Sequence, residues 1–226
     1  MSTTLLAIRT AIRQRTDMEQ SQFVRDPELN GYINSSLQEL HDLLVAAYCE
    51  DYYMSEYDFT TTAGVKSYVL PTDFYKLRGV DVQNGSQWAT VKRFNFNRRN
   101  QDQNSQTWNL LGLPYLEYRL VGSNVLFNRA PTAPSNIRLF YYPKAIQLVA
   151  DTDIYDDFNG YAEYIIADCC IKCLAKEESD TQVYAMQKQG LHDRLTVMAQ
   201  NRDANEPESV TDIYAEDQDA YLGGSR

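Results

Sequence analysis

The strongest constraint on the fold of this chain is its hydrophobic period, which changes twice along the sequence. Apolar residues recur every three or four positions over the first 50 residues, and again from about residue 159. Between residues 55 and 142 they alternate with polar neighbours instead. The first spacing is typical of helices and the second of β-strands. The sequence therefore predicts an α+β protein in which a β-rich segment is inserted into a set of helices.

Two helices are predicted before the β-rich segment and two after it. The second helix has a clear start, because Asp26 places a capping carboxylate before a proline at the first helical position. In the third helix, residues 161–174 are apolar on nearly every side, which predicts a central, buried position. The fourth is predicted to begin at a capping box formed by Ser179 and Gln182. We expect a bundle of helices near residues 3–15, 27–49, 159–177 and 181–203.

The chain ends in an acidic segment that has little periodicity. Residues 206–226 carry six carboxylates against a single arginine. Their apolar residues are too few to form a core, so we expect an extended C-terminal arm. The apolar residues of the arm are Val210, Ile213, Tyr214, Tyr221 and Leu222.

The fourth helix, which precedes the arm, is predicted to pack through one apolar stripe. The residues of this stripe are Val183, Met186, Leu191, Leu195 and Met198.

The β-rich segment is predicted to form six or seven short strands in a small antiparallel sandwich or barrel. The strongest turn signal is Asn84-Gly85, which is typical of a two-residue hairpin. A polar stretch near residues 97–112 is expected to form an exposed loop, because residues 97–106 offer almost nothing to bury. The predicted domains are a helical bundle at 1–54 and 150–205, an inserted β-domain at 55–149, and the arm at 206–226.

Charge and hydropathy argue against two broad classes of protein. The formal net charge of -10 is unfavourable for a protein that wraps nucleic acid by neutralising phosphates. The longest apolar run, residues 43–49, is much shorter than the ~20 residues that cross a bilayer. Arginines among the first apolar residues argue against a signal peptide, so we expect synthesis in a reducing cytoplasm.

The sequence contains no recognisable catalytic, cofactor or metal motif. It lacks a Gly-rich phosphate loop and the HExxH and GxSxG signatures. Cys169, Cys170 and Cys173 lack the spacing of a zinc site, so buried thiols are favoured over metal or redox chemistry. The acidic residues around Asp151 do not fit an EF-hand, which favours a solvated turn over a weak cation site. The two histidines are expected to be solvated or to lie at an interface. We therefore predict no catalytic residue, no cofactor and no bound metal.

One short basic stretch stands out against the acidic background. Its basic residues are interleaved with Phe94 and Phe96, a pattern that can stack on bases and pair with phosphates. The alternative, which the negative net charge favours, is a basic rim that contacts an acidic neighbouring subunit. Arg and Trp are frequent anchors of protein contacts. The candidate contact residues here are Lys92, Arg93, Arg98, Arg99 and Trp108.

The chain contains 17 tyrosines, which are spread over both predicted domains. Tyrosine combines a large contact area with a polar tip and is enriched in protein interfaces. The number therefore favours a protein whose surface is largely a contact surface.

Three short stretches carry a family resemblance. Residues 23–34 read FVRDPELNGYIN, residues 68–80 read YVLPTDFYKLRGV, and residues 177–180 read EESD. Together with the order helix, helix, β insert, helix, helix and acidic tail, they resemble the head-to-tail adaptor (connector) proteins of tailed bacteriophages. The second stretch is the most specific, and the resemblance covers most of the chain. The polar loop near residues 97–112 has no recognised match in the family.

The resemblance implies a structural virion protein rather than an enzyme. Such adaptors form rings, usually of twelve copies, beneath the portal, where they extend the DNA channel and present a surface to the tail or nozzle. The implied partners are the portal protein, a tail or nozzle protein, other copies of the chain, and double-stranded DNA that passes without specific binding. No membrane partner is implied. The implied location is the neck of the virion, after synthesis in the cytoplasm of a bacterial host.

The resemblance also implies roles for the candidate contact residues. C-terminal segments in this family commonly extend along the portal, so the five apolar residues of the arm are expected to contact it. The basic stretch and Trp108 are expected to contact a neighbouring subunit or a tail component. Three alternatives stay open at this point: a neck stopper or head-completion protein, a nucleic-acid-binding module, and a virion-associated wall hydrolase. The hydrolase requires a carboxylate with a raised pKa in a cleft.

Overall fold

The computed structural model describes residues 2–20, 23–46, 53–98, 116–156 and 160–200 of the 226-residue chain. Within these residues the protein has four helices, ten strands and one short 3-10 turn at Phe96–Arg98. The α+β fold class is confirmed, with helices from both ends of the chain and mainly antiparallel strands between them. The helices are α1 (Leu5–Arg15), α2 (Asp26–Ala46), α3 (Ala162–Lys176) and α4 (Gln182–Gln200). The strands are β1 (Ser2–Thr4), β2 (Ser55–Thr60), β3 (Ser67–Val69), β4 (Phe74–Asn84), β5 (Gln87–Thr90), β6 (Lys92–Arg93), β7 (Glu117–Val121), β8 (Asn124–Phe127), β9 (Asn136–Pro143) and β10 (Ile154–Asp156).

Helix α3 is the centre of the helical part, as its apolar pattern predicts. It packs against α1, α2 and α4. Ile165 and Cys169 of α3 are fully buried, in a hydrophobic cluster to which all four helices contribute. Because burial of apolar surface is the main favourable contribution to folding, this cluster is the principal source of stability in the helical part.

A two-stranded sheet that the sequence pattern does not predict fixes the start of α1. Strand β1 pairs antiparallel with β10, and Thr3 lies opposite Tyr155. The backbone N–H groups of Leu5 and Leu6 donate to the carbonyls of Asp153 and Asp151 at 2.9 and 3.2 Å. These bonds satisfy donors that the first turn of a helix otherwise leaves unpaired.

The acidic residues that precede α3 form a structural turn. The Asp153 carboxylate accepts hydrogen bonds from the backbone N–H groups of Val149 and Ala150 at 2.7 and 2.9 Å, and these bonds lower its pKa. Asp151 forms an ion pair with Arg9 of α1. The acidic residues therefore form a turn, as predicted. This turn is held by hydrogen bonds to the backbone and by an ion pair with α1, so it is not simply a solvated loop.

The predicted cap of α2 is wrong in detail. Asp26 lies inside the first turn, because the N–H of Leu29 donates to the carbonyl of Arg25 at 2.9 Å. The Asp26 carboxylate instead accepts a hydrogen bond from Arg13 at 2.7 Å and lies 3.3 Å from Arg9. Asp26 therefore joins the start of α2 to α1. The two arginines of α1 bind its carboxylate in place of the backbone N–H groups that a capping residue would bind.

The predicted capping box at α4 is also wrong. The backbone N–H of Gln182 donates to the carboxylate of Asp180 at 2.9 Å, which forms an Asx turn one residue later than expected. The Ser179 hydroxyl is directed to Glu177 at 3.4 Å and does not cap the helix. Glu178, just after the end of α3, has a positive φ of 60°. This change of chain direction shifts the position from which a side chain can cap α4.

Replacing Asp180 by alanine is expected to lower the free energy of unfolding by about 0.5–1 kcal/mol, because it removes a side-chain acceptor at a helix N-terminus. Replacing Ser179 by alanine is the matched control and should change it by much less. The two variants are to be compared by chemical denaturation followed by circular dichroism. Equal effects, or a larger effect of the Ser179 variant, would support the capping box and contradict the structure.

The stripe by which α4 packs differs from the predicted one. Val183 and Met186 are 71% and 70% exposed, and Met198 is also exposed. The inward face instead consists of Tyr184, Lys188, Leu191 and Leu195, of which Leu195 is the fully buried member. The hydrophobic pattern misplaces this face because a lysine occupies the middle of it.

The β-rich segment forms two four-stranded sheets, with strand orders β2-β9-β4-β5 and β3-β8-β7-β6. Their inner faces share one hydrophobic cluster, with Val80, Leu139 and Phe127 among its buried members, so the sheets pack as a sandwich. The predicted hairpin at Asn84-Gly85 is confirmed, since Gly85 has a φ of 63° and Asn84 pairs with Gln87. One pairing departs from the antiparallel expectation, because β6 and β7 run parallel.

Among the described residues, no helix is both long and apolar enough to cross a membrane.

Candidate interaction surfaces

The basic stretch lies at the edge of the second sheet. Lys92 and Arg93 form β6, the outer strand beside β7, and both side chains are exposed. Lys92 lies opposite Glu117 and Arg93 opposite Tyr118. An exposed edge strand with two cations is available to an acidic partner, and its charges discourage unwanted strand pairing.

The aromatic residues of this stretch do not form a base-stacking platform. Phe94 is only 5% exposed, and its N–H donates to the carbonyl of Tyr118 at 3.0 Å. The ring of Phe96 is more exposed, but the guanidinium of Arg119 lies 5.2 Å from its centre. Because stacking on nucleic acid requires free aromatic faces, the geometry favours a protein contact over a nucleic-acid contact here.

The other predicted contact residues lie mostly outside the described residues. Arg98 is the last residue of the 3-10 turn Phe96–Arg98. It lies five residues after the end of β6 in the sequence. The remaining ones are Arg99 and Trp108, together with Val210, Ile213, Tyr214, Tyr221 and Leu222 of the arm.

The outer face of the first sheet carries an anchor that sequence reasoning missed. Arg138 of β9 stacks on Trp88 of β5, with 4.5 Å between the guanidinium carbon and the ring centre. Asp58 of β2 accepts two hydrogen bonds from the same guanidinium at 2.8 and 3.0 Å, which lowers the pKa of Asp58. These residues are distant in sequence, and only the strand order brings them together. A pre-ordered Trp and Arg on a partly exposed face is a suitable anchor for a protein contact.

The tyrosines contribute less to the surface than their number indicates. Of the 12 described tyrosines, only Tyr57 and Tyr75 are exposed. Five are buried, including Tyr142 and Tyr164, and the others are partly buried. Many tyrosines therefore serve as core residues.

A buried carboxylate joins three helices. Asp168 of α3 is 5% exposed and lies 2.6 Å from Lys172, 2.7 Å from Lys188 and 2.5 Å from the Ser36 hydroxyl. Burial alone would raise its pKa, but these three partners outweigh burial and lower the pKa below its usual value. Lys188 also bonds Glu39 at 2.7 Å. Every partner comes from within the bundle, so the cluster connects α2, α3 and α4 and presents no reactive group to a substrate.

The cysteines of α3 are buried and free, as predicted. Burial raises the pKa of Cys169 and Cys170 to about 12 and that of Cys173 to about 11. Their thiols therefore stay protonated at neutral pH and are poor nucleophiles. Within the described part of the chain, no group of three or more His, Cys, Asp or Glu residues could hold a metal ion.

His41 is buried, which contradicts the expected solvated or interfacial position. The centre of its ring lies 4.9 Å from the centre of the Tyr53 ring and 5.7 Å from that of Tyr75. Burial lowers the pKa of His41. The helix therefore keeps this residue on its inward face beside aromatic neighbours. His41 also lines a pocket of about 330 Å³ between α2 and the chain that follows β9, together with Leu37, Tyr53, Pro143, Lys144, Ile146, Tyr155 and Asp156.

The carboxylates of the described residues give no support to the hydrolase alternative. Four described carboxylates have clearly displaced pKa values, and every one is lowered: Glu28, Asp58, Asp153 and Asp168. A general acid in a glycosidase requires the opposite shift. The exposed strand edge, the Trp88–Arg138 anchor and the exposed face of α4 are instead features of contact surfaces.

Comparison with known proteins is consistent with this geometry. A search of curated proteins found no match. The model of the SU10 adaptor protein family matches residues 3–211, which is most of the chain and includes all four helices and both sheets of the sandwich. The chain therefore belongs to the SU10 adaptor protein family and is a structural adaptor protein of a bacteriophage.

Proposed function

We propose that the protein forms a ring beneath the portal, joins the head of the virion to its tail, and extends the channel through which DNA leaves. The observation that carries this proposal is the family match over residues 3–211. A ring of twelve copies is the stoichiometry that the resemblance implies. The partners are then the portal, a tail or nozzle protein, and neighbouring copies of the chain.

The organisation of the described chain supports an adaptor with two contact regions. The helices and the sheets have separate hydrophobic clusters, so each part has its own core and its own surface. We propose that the helical bundle, at 1–54 and 150–205, and the β-domain, at 55–149, make separate contacts in the ring. The cations of β6 and the Trp88–Arg138 anchor are the proposed contacts of the β-domain with a neighbouring subunit or a tail component.

The proposed portal contact is the C-terminal arm. Its apolar residues at 210–222 are few and spaced among carboxylates, which suits a segment that orders on a partner with a basic groove. Ordering a residue costs about 1–2 kcal/mol of conformational entropy, so one arm binds weakly. Many arms that act together in a ring would bind tightly.

Truncation after Asn205 is expected to leave the fold intact and to abolish attachment to heads that contain the portal. The apolar residues of the arm are few and spaced among carboxylates, so we do not expect them to form part of a hydrophobic core. Circular dichroism and thermal unfolding test the first expectation, and co-sedimentation with heads tests the second. A matched full-length variant in which the six carboxylates of the arm become amides separates the effect of charge from that of length. Attachment of the truncated chain at the wild-type level would show that the bundle makes the portal contact.

The position of the protein is tested by native mass spectrometry and negative-stain microscopy of the full chain, alone and mixed with purified portal. The proposal predicts a ring that forms on the portal. A neck stopper or head-completion protein sits one layer further down, so it would bind only after another protein had covered the portal. Failure to bind bare portal, together with binding to portal covered by that protein, would replace the proposal with this alternative.

A further inference from the structure

The outward face of α4 carries no free charge over its first turns. Between Gln182 and Leu191 the only charged residue is Lys188, and its ammonium is turned inward to Asp168 and Glu39. The exposed residues of this stretch include Val183, Met186, Gln187 and Gln189. A surface helix of a chain with 23% charged residues usually presents charges to water. Depletion of charge together with exposed Val and Met is instead typical of the centre of an interface.

A glycine in the same face indicates close approach by another chain. Gly190 is exposed in the interior of α4, where glycine lowers helix stability relative to alanine. A Cβ atom at this position would meet no atom within 4 Å in the described chain. The packing of the described residues therefore gives no reason for the glycine, whereas a helix that contacts a second backbone often has a small residue at the contact.

A second exposed apolar patch lies at the start of α1. Leu6, Val149 and Ile154 are each more than half exposed. They lie on neighbouring elements, since the Leu6 N–H donates to the carbonyl of Asp151 and Ile154 pairs with Thr4. The N-terminal half of α4 contacts the opposite end of α1, where the Tyr184 hydroxyl donates to the carbonyl of Arg15. Arg15 lies nine positions after Leu6, about 14 Å further along α1, so the two patches lie towards opposite ends of α1 and do not cover one another.

We infer that the outward face of α4, centred on Val183 and Met186, docks on the Leu6–Val149–Ile154 patch of the next copy of this chain. This inference rests on the proposed ring and names its subunit contact. A closed ring requires two unlike, complementary patches on every subunit, which is what this chain carries. The second patch adjoins Asp151 and Asp153, and residues 182–191 of the α4 face bring no carboxylate against them. The first carboxylate on this face is Asp193, two turns beyond Met186. Each patch is small, so assembly depends on many subunits being held together.

Cross-linking between two variants that each carry one introduced, exposed cysteine tests the pairing directly. Met186→Cys and Ile154→Cys are made separately in the full chain with Cys49→Ser; Cys169, Cys170 and Cys173 are buried and protonated. The variants are mixed with portal-containing heads and treated with a short bismaleimide. We expect a covalent dimer in the mixture, at least tenfold more abundant than with either variant alone. The control pair is Val121→Cys with Ile154→Cys, since Val121 is exposed at the end of β7. A dimer from Met186→Cys alone, or no excess over the control pair, overturns the inference.

A charge substitution separates this inference from the proposed function. Met186→Glu places a carboxylate in the α4 face and should reduce ring occupancy on heads at least tenfold, whereas Val121→Glu should leave occupancy unchanged. Both positions are exposed, so both variants should unfold at the wild-type temperature. If wild-type rings are present at the portal and Met186→Glu joins them normally, the inference is wrong and the proposed function stands. If no wild-type ring forms at the portal, the proposed function fails and the inference fails with it.

Discussion

Replacement of Ile165 by aspartate is expected to leave the protein unfolded or insoluble. Ile165 is fully buried in α3, the helix that packs against the three others. A carboxylate there would have no partner, and burying an unpaired charge costs several kcal/mol. That cost is comparable with the total free energy of unfolding of a typical domain, about 5–15 kcal/mol.

Soluble yield and cooperative thermal unfolding, followed by circular dichroism, measure this effect. Ile165→Val is the matched control at the same site, and it should cost only about 0.5–1.5 kcal/mol because it removes one methylene group. Val183→Asp places the same charge on the exposed face of α4 and should fold normally. A soluble Ile165→Asp protein that unfolds cooperatively near the wild-type temperature would contradict the central position of α3.

The second large effect is expected at Asp168, where alanine should lower the free energy of unfolding by about 3 kcal/mol. The substitution leaves Lys188 and Lys172 without the carboxylate that both contact, and breaking a buried ion pair from one side is strongly destabilising. Asp58→Ala removes the carboxylate of an exposed pair with Arg138 and serves as the control, with a much smaller effect. Equal effects of the two substitutions would show that the Asp168 cluster is solvated.

The same cluster predicts a loss of stability in acid. The pKa of Asp168 is lowered in the folded protein, whereas an unperturbed aspartate has a pKa of about 3.9. The unfolded state therefore binds more protons as the pH falls, so the stabilising contribution is present above about pH 4 and is lost below it. Because other carboxylates are also shifted down, the informative comparison is between the wild type and Asp168→Asn. The variant should be less stable at pH 7 and should lose less stability between pH 7 and pH 3.

The sequence predicted those parts of the fold that depend on local pattern. The apolar run of α3 identified the central helix, and Asn84-Gly85 identified a hairpin, because both signals arise within a few residues. The β1–β10 pair was not predictable in this way, since strands of three residues carry no measurable alternation. The inward face of α4 was misplaced because Lys188 is on it, and its ammonium finds Asp168 only in the folded bundle.

The candidate surfaces also divide into those that a local pattern predicts and those that only the folded chain brings together. Lys92 and Arg93 were identified from a local pattern of basic residues interleaved with aromatics, and the structure places them on an exposed edge strand. The Trp88–Arg138 anchor was missed because it depends on the order β2-β9-β4-β5, which no local pattern encodes. Tyrosine count was a poor guide to exposure, since a tyrosine in a sandwich or bundle buries its ring as readily as a phenylalanine.

The central claim, a ring at the head–tail junction, is tested most directly by electron microscopy of whole virions. Particles that carry the wild-type chain are to be compared with particles in which the chain bears a compact tag on Val69, an exposed residue of β3. We expect a ring of additional density immediately beneath the portal, repeated once per subunit around the channel axis. Tag density elsewhere in the virion, or a complete head–tail junction in particles that lack the chain, would contradict it.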